Sequence, residues 1–251
     1  MLNSRVRKDG DCGRGYWDVR FAEGQCAAME LQESSVGSAS VSDIEFIGQG
    51  LAFRFLVAVD AEGFSRCCAA EQAGIQDDLD RALGQAAEAT GMDRNQWGSQ
   101  SRGDGELAEL PVDVDSLSLV GDFPGQLAAA ISEINATRVA GPRLRVRMAI
   151  HHGAVSPGRF GSVGPATVLV TRLLDAGVVR QQLRNQPGRD LALIVSATVF
   201  EEVITTRFHG LCPEEFARVA VHTKGVAYAG FLYQGGFVGV AAQIPAIAAG
   251  I

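Results

Sequence analysis

Between residues 51 and 234 the chain alternates strand-like and helix-like segments in an order that few folds accommodate. Residues 53–59 form an apolar, β-branched run that breaks at Gly63 and reads as a strand. Residues 68–90 turn to Ala, Leu, Gln and Glu, with Leu79 and Leu83 at helical spacing. Residues 97–102 and 106–110 flank Gly103-Asp104-Gly105, a hairpin signal between two short strands. Residues 123–138 read as a second helix, with Leu127, Ile131 and Ile134 on one face. In residues 143–150, Arg143, Arg145 and Arg147 alternate with Leu144, Val146 and Met148, the period of a half-buried strand. A helix over 167–183, a buried strand over 191–195, a helix over 198–205, and paired strands over 216–222 and 227–233 complete the pattern.

The order is β-α-β-β-α-β with a C-terminal α/β extension, the ferredoxin-like split βαβ arrangement of an α+β domain. The length of 251 residues fits one such domain over 51–234 with a segment on either side. Residues 1–50 mix Gly, Ser and charge without a sustained period and are expected to be a poorly ordered extension. Residues 235–251 are apolar but glycine-rich and broken by Pro245, too short and irregular for a membrane span. They are expected to pack on the domain or on a partner chain.

A net charge of −7 argues against general nucleic-acid binding, which needs a basic face, but leaves room for a small anion in a local cationic pocket. The only lysines are Lys8 and Lys224, which makes Lys224 the one lysine of the region expected to fold. Five cysteines without a CxxC spacing fit neither a disulfide framework nor a zinc site. With no apolar leader at the N-terminus, these features predict reduced thiols and a cytoplasmic protein.

Asp60 ends the first strand and Asp104 sits in the hairpin turn. Two carboxylates on neighbouring strand ends can hold two divalent cations, and two cations can bind and polarise a triphosphate. Taken singly, Asp60 reads as a helix cap and Asp104 as a turn residue. Glu62, beside the first aspartate, reads as solvated. His151-His152 suggests a metal site, but strand geometry puts the two rings on opposite faces. Cys67-Cys68 opens a helix, whose N-terminus lowers a thiol pKa, yet ordinary packing accounts for it more simply.

The strings VAVDAEGFS, SRGDGELAEL, LRVRMAIHHGAV, GPATVLVTRLLDA, LALIVSATVFEEV and ARVAVHTKGV, in that order over about residues 52–233, resemble the class III nucleotidyl cyclases, the adenylate and guanylate cyclase catalytic domains. The resemblance implies that Asp60 and Asp104, with the backbone of Ala61, hold two Mg²⁺ or Mn²⁺ ions. It implies that Arg172 stabilises charge in the transition state and puts Lys224 in the phosphate-binding lysine region, where it either binds the β- or γ-phosphate or simply sits in a turn beside Gly225. It further implies a head-to-tail homodimer, with the metal aspartates of one copy facing Arg172 of the other. The reaction would be attack of a nucleoside triphosphate's 3′-hydroxyl on its own α-phosphate with loss of pyrophosphate.

Three positions depart from the family. An asparagine usually precedes the transition-state arginine by four residues; here the residue is Val168, with Thr167 and Thr171 as nearby replacement donors. The base-selecting lysine of adenylate cyclases, four residues before the second metal aspartate, is Gln100. Its aspartate partner is Gly161, next to Ser162. A glutamine both donates and accepts, which suits uracil, cytosine or guanine; nothing here is built for adenine. These changes resemble the bacterial pyrimidine cyclases that make cyclic UMP or cyclic CMP in anti-phage defence. A degenerate, nucleotide-binding dimeric module is the alternative that Val168 favours.

Overall fold

A computed structural model of the chain describes residues 50–223 and 225–237. The expectations for residues 1–49, for the tail beyond Phe237 and for Lys224 lie outside the described residues. The elements are β1 (Ala52–Ala61), α1 (Ala69–Ala89), β2 (Gly98–Ser101), β3 (Gly105–Glu109), α2 (Phe123–Thr137), β4 (Val146–Val155), α3 (Pro165–Leu174), α4 (Gly177–Asn185), β5 (Leu191–Ser196), α5 (Ala197–Glu202), β6 (Phe216–Thr223) and β7 (Val226–Tyr233). They form one seven-stranded sheet in the order β2-β3-β1-β4-β5-β7-β6.

Among the first four strands each hydrogen-bonded pair is antiparallel, with β1 between β3 and β4 and the β2–β3 hairpin at the edge. This is the expected ferredoxin-like half. The extension adds β5 parallel to β4, then β7 and β6 antiparallel. Alternate residues of β1 point to opposite faces. Val57 and Val59 pack under α1 and α2 with Leu79, Leu83, Leu127 and Ile131. Leu56 and Ala58 share the other face with Val170, Leu173, Val179 and Leu183 of α3 and α4.

Two expectations need correction. The strand expected at 143–150 as half-buried starts at Val146 and runs to Val155, and its first six residues are all buried. Neighbours on both edges and helices on both faces leave it no solvent side. The helix expected over 167–183 is two helices, α3 and α4, broken where Ala176 takes an extended conformation. The flanking Asp175 and Gly177 are poor helix formers. At the C-terminal end, Phe237 lies against Tyr233, ring centroids 4.9 Å apart, so the start of the apolar tail packs on the domain.

Candidate active site

Antiparallel register brings the two aspartates together. Asp60 stands opposite Gly105 on β3 and opposite Arg147 on β4. The Ala61 N–H donates to the Asp104 carbonyl at 2.8 Å, which seats the hairpin turn against the end of β1. The Asp104 N–H turns back to the Arg102 carbonyl, so the Ala61 carbonyl is not claimed by Asp104. The Gln76 side chain of α1 ties down the hairpin by donating to the Gly103 carbonyl. After Asp60 the chain turns sharply at Gly63, whose φ of +81° an L side chain rarely adopts.

Gly105 is required by closeness of approach. A Cβ there would lie 1.9 Å from the Val59 carbonyl oxygen, a backbone atom that cannot swing aside. Gly105→Ala is therefore expected to destabilise the fold by about 1–3 kcal/mol through forced backbone displacement. A thermal melt checks this: the midpoint should drop by at least about 2 °C.

The Asp60 carboxylate is 7% exposed, and its Oδ2 accepts from Arg147 Nη2 at 2.6 Å. Its Oδ1 is buried with no hydrogen-bond partner among the described residues. Burial pushes the Asp60 carboxyl up to about 7; Arg147 pulls the other way, while Asp104 and Asp175 push it further up. A buried carboxylate oxygen without a partner is uncommon in a folded protein. Beside a second carboxylate and a strand-end carbonyl, it forms a hard, all-oxygen donor set of the kind Mg²⁺ and Mn²⁺ take. Among the described residues no group of three or more His, Cys, Asp or Glu side chains could hold a metal ion by itself. Glu62 is not solvated as expected: it accepts from Arg145 Nη1 at 2.9 Å, which commits it elsewhere.

The strand parity separates the two histidines as expected. His151 is buried, with Nδ1 2.9 Å from the Ser196 hydroxyl, and burial lowers its pKa to about 4. His152 stacks on Phe55, ring centroids 4.6 Å apart. Gly153 makes room for the His151 ring, because a Cβ there would sit 2.6 Å from Nε2.

On the wing of the same sheet face, Gln100 of β2 lies against Gly161. Gly161 has a φ of +107°, and a Cβ there would fall 2.2 Å from the Gln100 side-chain carbonyl carbon. The glutamine amide thus occupies the space that a side chain at position 161 would need. Next to it, the Ser162 hydroxyl donates to Glu109. Arg54 Nε stands 3.5 Å from the other oxygen of Glu109. Arg54, Glu109, Gly161 and Ser162 line an open cleft of about 410 Å³. The sequence reading missed Glu109. Its position two residues beyond Leu107, the partner of Gln100 in the hairpin register, is the signal that could have found it.

Arg172 lies on α3, and its contacts are not to the aspartates. Its Nη1 donates to the Tyr228 hydroxyl of β7, and its guanidinium carbon is 5.2 Å from the Tyr228 ring centroid. Within one chain, then, the aspartates form one cluster and Arg172 another. The two threonines expected as replacement donors are both committed: Thr167 Oγ1 donates to the Gly164 carbonyl at 2.9 Å and Thr171 Oγ1 to the Thr167 carbonyl at 2.6 Å. Val168 is 46% exposed. Among the described residues no helix is long and apolar enough to cross a membrane.

No known family model matches the sequence, and no curated protein matches it. Solved structures do match. The guanylyl cyclase Cya2 superposes with a TM-score of 0.52 at 16% identity, over 74% of this chain and 92% of that one. An adenylate/guanylate cyclase/hydrolase from Silicibacter pomeroyi gives 0.52 at 16%, over 73% and 97%. A bacterial light-regulated adenylyl cyclase gives 0.50 at 14%, over 73% and 91%. The architecture is that of the class III adenylate and guanylate cyclase domains.

Proposed function

We propose that the protein is a nucleotidyl cyclase that converts a nucleoside triphosphate to a 3′,5′-cyclic nucleotide and pyrophosphate in sites shared by two copies of the chain. The observation that carries this is the convergence of Asp60 and Asp104 on adjacent strand ends, with the buried Asp60 Oδ1 left without a partner among the described residues. Asp60, Asp104 and the Ala61 carbonyl would hold two Mg²⁺ or Mn²⁺ ions. Bound there, the ions supply positive charge that makes the 3′-hydroxyl more acidic and neutralises the polyphosphate. Arg147 keeps Asp60 oriented through its hydrogen bond to Oδ2. Arg172, from the other copy, offers a guanidinium to charge developing on the α-phosphate and leaving group. Lys224 remains the proposed polyphosphate lysine.

Gln100, Gly161, Ser162 and Glu109 are proposed to read the base. Released from Ser162 and Arg54, which engage both its oxygens here, the Glu109 carboxylate would accept two N–H groups from the guanine edge and one from cytosine, whereas the single ring N–H of uracil is flanked by carbonyls that would face it. The Gln100 amide can then donate to the guanine O6 or the cytosine N3. Guanine is the better fit, and cyclic CMP, with a role in anti-phage signalling, is the pyrimidine reading that Glu109 leaves open. Adenine is disfavoured because neither the lysine nor the aspartate that selects it is present. Val168 supports one rival reading, a catalytically silent domain that binds nucleotide and signals by dimerising.

The test is direct. The purified chain, with Mn²⁺ and each of ATP, GTP, CTP and UTP in turn, should yield pyrophosphate and a cyclic nucleotide, with GTP or CTP preferred. Product from ATP alone would overturn the base assignment. Nucleotide binding with no product from any of the four would favour the silent module.

A further inference from the structure

We propose that Tyr228 is the positioning residue for Arg172, performing from β7 the polar task that α3 cannot perform at position 168; this rests on the cyclase reading above. Arg172 needs a fixed orientation, because a long, flexible side chain that samples many rotamers stabilises transition-state charge poorly. Its own helix supplies no polar partner for that purpose. One turn back stands Val168, apolar and half-exposed. The two hydroxyls on neighbouring positions, Thr167 and Thr171, donate to helix carbonyls. The remaining polar group is the phenol of Tyr228, which comes from a strand 56 residues away in sequence.

That phenol grips the guanidinium in two ways. Its oxygen accepts from Nη1, and its ring lies near the guanidinium carbon in a cation–π contact. Tyr228 is itself held by the sheet: it pairs with Val221 of β6 and packs against the apolar cluster under α3. The clamp is therefore rigid on the strand side. Because the tyrosine oxygen acts as acceptor toward Arg172, its own proton has no partner among the described residues.

Tyr228→Phe tests the assignment, since it keeps the ring and removes only the hydroxyl. With the triphosphate that the wild type turns over best, kcat should fall about 10- to 100-fold. The KM should stay within about twofold, because the clamp acts on the transition state rather than on ground-state binding. The thermal midpoint should be unchanged. Adding Val168→Asn to Tyr228→Phe places a polar side chain one turn before Arg172 and should return kcat to within about fivefold of wild type. A Tyr228→Phe protein with wild-type kcat overturns the proposal. So does a loss of activity that comes with a lowered melting point and is not relieved by Val168→Asn, which marks a purely structural role. A wild type that forms no cyclic nucleotide from any triphosphate overturns the cyclase reading itself, and this assignment with it.

Discussion

Asp60→Asn is expected to lower cyclic-nucleotide formation by at least about 10³-fold, the scale of losing a metal-held charge worth several kcal/mol in the transition state. The substitution is nearly isosteric, and its side-chain oxygen can still accept from Arg147, so the site keeps its shape. What disappears is the anionic Oδ1, the atom that is buried without a partner among the described residues of the wild type. A second readout isolates the metal. Mn²⁺ should raise the melting temperature of the wild type, because a ligand that binds only the folded state stabilises it by mass action. It should leave Asp60→Asn unmoved. The effect should also follow pH. The Asp60 carboxyl holds its proton up to about 7 when folded, and that proton must leave before the oxygen can accept a cation. Mn²⁺ stabilisation should thus be full above pH 7 and fade as pH drops through 7.

The metal-free protein should show the same group in its stability. A carboxyl raised from 3.8 to about 7 on folding binds a proton in the native state that the unfolded chain has already lost. Its contribution therefore falls as pH rises from about 4 to 7. His151 acts in the opposite sense: with its pKa lowered from 6.5 to about 4, it contributes stability that is present above 6.5 and lost as pH falls toward 4. The two slopes offset one another in the wild type. In Asp60→Asn the opposing carboxyl slope is removed, so stability should rise between pH 4 and 6.5.

Arg172→Ala is the second large effect. Arginines that stabilise a transferring phosphoryl group are worth about 10³–10⁵ in rate, and a loss in that range is expected. The Mn²⁺ thermal response should be intact, since Arg172 is bonded to Tyr228 and makes no contact with Asp60 or Asp104 in its own chain. The measurement is product formation and metal-dependent melting on the same sample. Loss of both together would mean that Arg172 supports the fold rather than the reaction.

The parts of the molecule legible in sequence are those encoded locally. The hairpin follows from Gly103-Asp104-Gly105, and the ferredoxin-like order follows from alternating periods of two and 3.6. Once β1 is placed beside that hairpin, Asp60 and Asp104 are neighbours by topology. What could not be read depends on register between distant segments. Arg147 looked like one of three solvent-side arginines of a half-buried strand. It is 8% exposed and bonds Asp60, 87 residues away, because β4 is central and covered on both faces. Glu109 and Ser162 meet across 53 residues, and Arg172 and Tyr228 across 56. No local pattern marks such pairs. The break between α3 and α4 was hidden because apolar spacing continues through Asp175 and Ala176 while the backbone does not.

Mixing two inactive proteins probes the shared site most directly. In a heterodimer of Asp60→Asn and Arg172→Ala, one of the two sites carries both lesions and the other carries neither. An equal mixture that exchanges freely should therefore recover about a quarter of wild-type activity, from half the dimers with one intact site each. A mixture as inactive as its components, under conditions where the chains demonstrably exchange, would contradict a site built from the acids of one copy and the guanidinium of the next.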